Sequence, residues 1–190
     1  EQVFSGRSRV LGPDHRSTVT ARDDLADTYW EAGRFDEAIT LKRQILADAM
    51  RVMGPDSSGA SVARLSLAAT YRDAGRLDES ITLHQENLDE VSRALGLDHP
   101  ETLALRHRLA GVYRDAGRLD EAIPLFEQNL TDFTRLAGPD HPETLASRAT
   151  LAGVYRDAGR LNEAIPLFEQ NLDDVARTLG LDHPETLASR

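Results

Sequence analysis

Apolar residues in this chain recur at helical spacing, in short and long stretches that alternate. Between residues 97 and 138 they recur every three or four residues over one stretch and then over a longer one. In the first stretch the apolar positions are Leu103, Leu109, Ala110 and Tyr113. In the second they are Ala122, Ile123, Leu125, Phe126, Leu130, Phe133 and Leu136. The pattern predicts two amphipathic helices, helix A and a longer helix B, each burying one face.

Proline and glycine mark where these two helices begin and end. Pro100 suits the first position of helix A, because its missing N–H would have no partner there. Gly117 predicts the end of helix A, where a left-handed backbone is needed, and Gly138 marks the end of helix B. Pro124 and Pro166 are expected in the first turn of their B helices, where proline is tolerated.

The same pattern repeats along the chain with a period of 42 residues. The glycines that end the A helices share this spacing; they are Gly33, Gly75, Gly117 and Gly159. The register divides the chain into four repeats, at 13–54, 55–96, 97–138 and 139–180. Residues 1–12 are then the end of a preceding helix B, and residues 181–190 begin a further helix A. Because one helix pair cannot bury both of its apolar faces, we expect residues 1–190 to form a single all-α solenoid of antiparallel helix pairs.

The segment LAGVYRDAGRLDEAIPLFEQNL resembles the tetratricopeptide repeat signature. The positions that carry the resemblance are Leu109, Ala110, Tyr113, Gly117, Ala122, Phe126 and Leu130. The 42-residue length, with Gly-x-Asp-His-Pro at the repeat junction, is similar to the repeats of kinesin light chains, nephrocystin-like proteins and many bacterial signalling proteins. The resemblance implies a superhelix whose concave groove, lined mainly by A helices, binds segments of partner proteins. It also implies no catalytic residues, and a place within a larger regulatory protein.

One departure from kinesin light chains falls midway along the A helices. Those repeats carry an asparagine pair there, whose amides can grip the backbone of a partner. This chain has other residues at the matching positions, which are Asp23 and Asp24, Leu65 and Ser66, His107 and Arg108, and Ala149 and Thr150. We therefore expect a binding mode different from that of kinesin light chains.

Charge and composition exclude several classes of function. A net charge of −10 argues against binding to nucleic acid or to an anionic membrane, since both need a basic surface. No apolar run reaches the roughly 20 residues of a membrane span, and the first residues do not form a signal peptide. Without cysteine there is no disulfide or thiolate metal site, and we expect a cytoplasmic protein. Since the first residue is not methionine, we expect the chain to be part of a longer protein.

The residue after each helix A tyrosine is expected to face the groove. It is Trp30 in the first repeat and an arginine in the next three, namely Arg72, Arg114 and Arg156. The arginines could form a ladder that binds the carboxylates of an acidic partner segment. Alternatively, each arginine pairs with an aspartate or glutamate of its own or the adjoining repeat, in an exposed ion pair.

Trp30 follows Asp23 and Asp27 by one to two helical turns, on nearly the same helix face. An exposed tryptophan beside carboxylates would suit a basic or aromatic group of a ligand. Alternatively, Trp30 packs against residues 1–12 or against an upstream repeat. His107, at one of the positions that differ from kinesin light chains, completes the predicted groove.

The recurring histidines and the mid-helix glycines have structural interpretations. The histidines at the repeat junctions are His15, His99, His141 and His183. They stand a whole repeat apart, so we expect capping or turn roles and no metal site. Gly111 and Gly153 are unfavourable within a helix; they either admit a partner backbone or, as we favour, allow tight packing between helices. Since no nucleophile with an orienting partner and no phosphate-binding loop stands out, we expect neither enzymatic activity nor a cofactor.

The sequence therefore predicts a protein interaction scaffold that binds a partner peptide or protein segment in its groove. An alternative is a homo-oligomer, because the head and tail surfaces of similar repeats are complementary and can stack end to end. A second alternative is a ligand-sensing regulatory domain, which would need a switch between two conformations.

Overall fold

A computed structural model describes residues 16–179, and this range is helical apart from short connections. The helices are α1 (Arg16–Glu31), α2 (Phe35–Met53), α3 (Ser58–Asp73), α4 (Leu77–Leu95), α5 (Pro100–Asp115), α6 (Leu119–Ala137), α7 (Pro142–Asp157) and α8 (Leu161–Leu179). The odd-numbered helices are the A helices and have 16 residues each, whereas the B helices have 19. The all-α fold class and the greater length of helix B are confirmed.

The helices form two compact units, divided between Gly96 and Leu97. Unit 1 contains α1 to α4, and unit 2 contains α5 to α8. Within each unit every helix packs against the next one along the chain, which gives the antiparallel pairs of a helical repeat. No helix within residues 16–179 is long and apolar enough to span a membrane. The predictions for residues 1–12 and 181–190 lie outside the described residues.

An arginine fixes the turn from helix A to helix B. Between α5 and α6, Gly117 has a φ of +69°, and the N–H of Arg118 donates to the carbonyl of Tyr113 at 2.9 Å. The Arg118 guanidinium lies 4.9 Å from the centre of the Tyr113 ring, and its Nε donates to Glu121 at 2.9 Å. The turn thus satisfies a carbonyl at the helix end and orders the first turn of α6. The same stacking joins Arg34 to Tyr29, Arg76 to Tyr71, and Arg160 to Tyr155.

Histidine caps the A helices of unit 2. His99 precedes α5, and its Nδ1 accepts a hydrogen bond from the backbone N–H of Glu101 at 3.2 Å. His141 does the same for Glu143 at the start of α7. The capping role is confirmed for these two histidines, since each satisfies an N–H that the helix leaves unpaired. The other two lie outside the described residues: His15 and His183.

The predicted apolar positions build the core, with one exception. Those of helix A are all buried: Leu103, Leu109, Ala110 and Tyr113. In helix B, Ala122, Ile123 and Phe126 are buried, and the half-buried positions are Leu125, Leu130 and Phe133. Leu136 was expected in the core, but it lies in the last turn of α6 with 47% of its surface exposed.

The prolines of the B helices do not lie in the first turn, so that prediction is wrong. Helix α6 already begins at Leu119, five residues before Pro124, and Pro166 has the same place in α8. Both prolines are exposed. Proline removes one backbone hydrogen bond at such a position. On the exposed side of a helix the freed carbonyl faces solvent, so the helix continues past the proline.

Candidate functional site

A cavity of about 390 Å³ opens between α1, α2 and α3 in unit 1. Its walls are mainly apolar and include Val19, Ile45 and Val62, while Asp23 and Lys42 add charged groups. A second cavity of about 320 Å³ adjoins it, and Lys42 lines both. We call these two cavities together the first groove.

Lys42 is the only lysine of the chain, and it lies buried in the floor of the first groove with 5% of its surface exposed. Its Nζ donates to Asp23 Oδ1 at 2.6 Å and to Asp27 Oδ1 at 2.7 Å. Burial acts to lower the pKa of Lys42, but the hydrogen bonds to the two aspartates outweigh it and raise the pKa above its ordinary value. The ammonium therefore stays charged and holds the two carboxylates on one side of α1.

Trp30 lies at the other end of the first groove, on the adjoining cavity. Its indole Nε1 donates to Asp73 Oδ2 of α3 at 2.8 Å, and 42% of its surface is exposed. Asp27 and Glu31 line the same cavity. Trp30 thus joins the first repeat to the second while it leaves much of its ring open to a ligand.

A cavity of about 770 Å³ opens between α5, α6 and α7 in unit 2, and we call it the second groove. Its lining positions match those of the first groove two repeats earlier. Val19, Val52 and Val62 of unit 1 correspond to residues of the same apolar character in unit 2, namely Leu103, Leu136 and Ala146. Leu136, although exposed, therefore has a clear place in the wall of this groove.

The polar residues of the second groove differ from those of the first. His107 stands at the position of Asp23, and Phe126 stands at the position of Lys42. The two rings meet edge to face, with their centres 5.2 Å apart. Burial lowers the pKa of His107, and the positive charges of Arg114 and Arg108 lower it further. The second groove therefore carries charges of both signs, with Arg108 beside Asp98 and Glu143, whereas the charged residues of the first groove are mainly carboxylates.

The three arginines predicted to form a ladder are exposed on the A helices of both units. Arg72 lies 3.6 Å from Asp73, and Arg156 lies 3.6 Å from Asp157. Both distances are measured from a guanidinium nitrogen to a carboxylate oxygen. Arg114 is exposed near His107, whose pKa it lowers. Exposed ion pairs of this kind are weak, so a carboxylate of a partner could replace the neighbouring aspartate. A ladder that binds an acidic segment stays a prediction.

Gly111 and Gly153 do not serve tight packing between helices, so the interpretation favoured from the sequence is wrong. A Cβ at either position would meet no other atom within 4 Å, apart from its own helix backbone and chain neighbours. The structure therefore leaves open space beside α5 and α7. The other interpretation, close approach of a partner backbone, remains a prediction.

Residues that could serve other chemistry do not gather into a site in the described part of the chain. His84, which has carboxylates near it in sequence, is buried in unit 1, with its Nδ1 2.9 Å from the carbonyl of Ser80. Among residues 16–179 there is no group of three or more histidine, aspartate or glutamate side chains that could hold a metal ion.

A model of the tetratricopeptide repeat family matches residues 1–51, 60–128 and 101–173. The chain belongs to the tetratricopeptide repeat family. The resemblance found in the signature segment is thereby confirmed. Tetratricopeptide repeats are non-enzymatic scaffolds that generally mediate protein interaction or assembly. No curated protein matches the sequence.

Solved structures with the same repeat architecture are similar to this tetratricopeptide repeat chain. One is described as a kinesin light chain from Podosopora anserina with nearly identical TPR-like repeats; it is 31% identical, with a TM-score of 0.76, over 92% of this chain and 83% of that one. BtubC (BKLC) from P. vanneervenii is 19% identical, with a TM-score of 0.70, over 98% and 78% of the two chains. MamA is 18% identical, with a TM-score of 0.57, over 93% and 86%. The latter two show the fold alone.

Each tetratricopeptide repeat also holds a buried ion pair that the sequence analysis missed. In unit 2, Arg106 Nη1 donates to Asp132 Oδ2 at 2.6 Å, and both side chains are 8% exposed. Burial acts to raise the pKa of Asp132, but hydrogen bonds from Arg106, Gln128 and Arg135 outweigh it and lower the pKa. The same pair recurs as Arg22 with Asp48, Arg64 with Glu90, and Arg148 with Asp174. The signal was present as an arginine followed 26 residues later by a carboxylate in every repeat.

Proposed function

We propose that this chain binds a segment of a partner protein along the exposed faces of its A helices. The observation that supports the proposal is the pair of grooves at equivalent positions in the two units. Both have apolar walls and a rim of exposed charged side chains, which is the composition of a recognition site. An apolar side chain of a partner segment would enter a groove, and the charged residues at its rim would select the neighbouring partner residues.

The predicted groove residues take distinct parts in this proposal. Asp23, Asp27 and Trp30 contribute an acidic and aromatic surface to the first groove. In unit 2, His107 lines the second groove, and Arg114 is exposed nearby on the same helix. The remaining members of the proposed surface are Arg72 and Arg156, whose exposed pairs with neighbouring aspartates can give way to a partner carboxylate.

A displayed library of random peptides tests the proposal without a known partner. The chain is immobilised, bound peptides are sequenced, and the selection is repeated with Arg72, Arg114 and Arg156 all changed to glutamate and with Trp30→Ala. We expect peptides enriched by the native chain to lose binding to one of these variants. Loss on the arginine variant alone would indicate recognition of acidic segments.

The chain supplies a matched control on its B helices. Arg51, Arg93 and Arg135 also stand at one repeat position and are exposed. Arg51 and Arg135 pair with carboxylates, and Arg93 donates to the backbone carbonyl of Asp89. Their reversal to glutamate changes the net charge equally and should leave the selected peptides bound. Equal loss on both triple variants would contradict groove binding. Failure to enrich any peptide, together with a mass that grows with concentration in analytical ultracentrifugation, would favour end-to-end self-assembly instead.

A further inference from the structure

The first groove combines an apolar cavity with an acidic cavity, and the two meet at Lys42. We propose that it binds a partner segment in which an apolar side chain stands next to a lysine or arginine. The inference rests on the proposed function and names the partner chemistry of one site. The apolar side chain enters the larger cavity, and the cationic group enters the smaller one beside Trp30.

Exposed apolar side chains surround the mouth of the larger cavity. Val52, Met53 and Val62 are 59%, 55% and 66% exposed, although each belongs to a helix that packs in unit 1. Gly59 leaves the space that the Met53 side chain occupies, because a Cβ there would lie 2.2 Å from the methionine Cε. Methionine is flexible and polarisable, so it can adapt to different apolar partners. This surface is therefore suited to bury a side chain supplied from outside.

The smaller cavity is more acidic, since three of its four charged lining residues are carboxylates. Asp27, Glu31 and Asp73 line it together with Trp30 and the buried ammonium of Lys42. The exposed Trp30 ring adds a surface that attracts cations through its π electrons. Charge complementarity consequently favours a cationic group over an acidic one at this end of the groove.

Lys42 shows that these carboxylates are placed to bind an ammonium group. Asp23 and Asp27 each use one oxygen for Lys42, yet their side chains remain 49% and 60% exposed. Their outward parts can therefore bind a second cation from a partner. A lysine or arginine from outside would compete with Lys42 for the same pair.

The placement of these carboxylates on α1 works against the stability of that helix. The C-terminal end of a helix carries partial negative charge, which cations offset and carboxylates aggravate. In α3, α5 and α7 an arginine stands in the last turn, whereas α1 has Trp30 there and no basic residue in its last turn. Asp27 and Glu31 thus lie in an unfavourable position that a bound cation would relieve.

The second groove lacks this arrangement and serves as an internal reference. The positions of Asp23 and Asp27 are held there by His107 and Gly111, and Phe126 replaces the lysine. A cationic partner group would meet Arg108 there as well as Asp98 and Glu143, and neither a tryptophan nor a lysine is among the lining residues. The inferred selectivity therefore belongs to unit 1.

Peptide arrays with a fixed central pair test the inference. One array fixes leucine–lysine between randomised flanks, a second fixes leucine–glutamate, and a third fixes serine–lysine. We expect the native chain to bind most strongly to the first array. The strongest peptide is then labelled with fluorescein, and its dissociation constant is measured by fluorescence anisotropy.

Two substitutions with opposite expected effects separate direct binding from support of the fold. Asp27→Asn removes one carboxylate and should weaken peptide binding up to about fivefold. Asp120→Asn, at an exposed residue of α6, makes the same charge change and should leave peptide binding unchanged. Lys42→Met removes the competing ammonium and should strengthen binding by a similar factor. Circular dichroism checks that each variant is folded. Isotope-labelled lysine gives one side-chain signal in the native chain, since Lys42 is unique, and that signal should shift on titration.

The outcomes distinguish this inference from the proposed function. Peptides that bind without a preference for leucine–lysine, or that ignore Asp27→Asn, would overturn the inference while binding itself stands. Weakening by Lys42→Met in a folded variant, with no shift of the lysine signal in the native chain, would also overturn it. No binding to any array would overturn both.

Discussion

The first and second grooves have the same backbone framework but different polar residues. Both lie between a helix A, its helix B and the next helix A, and both have apolar walls. In the first groove a buried lysine is held by two aspartates, whereas in the second Phe126 packs against His107. The difference shows that a repeat can keep its backbone framework while three positions, two on helix A and one on helix B, change the chemistry of its groove.

Replacing Phe126 by lysine, the residue at the matching position of unit 1, should produce the largest loss of stability. Phe126 is 1% exposed, so Phe126→Lys removes a core side chain and buries an ammonium where His107 and Gly111 replace the two aspartates. We expect the free energy of unfolding to fall by more than the ~3–5 kcal/mol of a Phe→Ala change. Guanidinium unfolding followed by circular dichroism measures the loss.

A triple variant that also introduces the two aspartates tests the same comparison more strictly. Adding His107→Asp and Gly111→Asp to Phe126→Lys recreates the unit 1 cluster in unit 2. Part of the lost stability should return, because the ammonium regains its two partners. A triple variant no more stable than Phe126→Lys would contradict the view that these three positions act as one cluster.

Breaking the buried ion pair of the third repeat should have the next largest effect. Asp132→Ala leaves the Arg106 guanidinium buried without its carboxylate, which should cost about 3–5 kcal/mol. In unit 1 the Asp48 side chain is 25% exposed, so Asp48→Ala should cost less. Chemical unfolding of the two variants compares the units directly. Replacing both partners by apolar residues, as in Arg106→Met with Asp132→Leu, should cost less than Asp132→Ala alone; a greater cost would contradict this account.

Two glycines of one helix pair should respond to alanine in opposite directions. Gly117 has a φ of +69°, so Gly117→Ala introduces strain and should cost at least about 1 kcal/mol. Gly111 lies within α5 with open space around its Cβ, so Gly111→Ala should add up to about 1 kcal/mol of stability. Thermal unfolding of both variants measures the two signs. A loss of stability on Gly111→Ala would show that this position is constrained after all.

The smallest expected effect is a pH dependence that belongs to the second groove. The pKa of His107 is lowered below its ordinary 6.5, so as pH falls through 6.5 the unfolded chain takes up a proton that the folded chain resists. Stability should therefore decrease with falling pH in this range, because of His107. In His107→Gln that part of the decrease should be absent when urea unfolding is followed from about pH 7 to pH 5. An unchanged pH profile would contradict the lowered pKa.

Much of the fold could be predicted because its signals are local. Proline at the start of helix A and glycine at its end mark the helix within a few residues, and the 42-residue period repeats these marks along the chain. The predicted place of Pro124 was wrong because α6 begins earlier, at Leu119. A helix can continue past a proline when the carbonyl that the proline leaves without a hydrogen bond faces solvent. Helix boundaries depend on such details of hydration, which the residue pattern does not record.

The candidate site could be predicted only in part, since its contacts join separate helices. The exposed Trp30 and the nearby Asp23 and Asp27 were recognised from their spacing on α1. Their pairing with Lys42 depends on which face of α2 lies against α1, and hydrophobic periodicity does not show this for a charged residue. An arginine such as Arg106 was overlooked for a related reason, because charged residues are ordinarily exposed.

The buried ion pairs also bear on how such a chain can grow or shrink by whole repeats. Each arginine finds its carboxylate within its own helix pair, 26 residues later, as Arg106 does with Asp132. A gene duplication or deletion of one complete repeat would therefore leave no charge stranded in the protein interior. The bond from Trp30 to Asp73 joins two repeats instead, but Asp115 and Asp157 stand at the position of Asp73 in the later repeats. Loss of the second repeat would therefore still place an aspartate at the position that accepts from Trp30, and both kinds of contact leave repeat number free to vary during evolution.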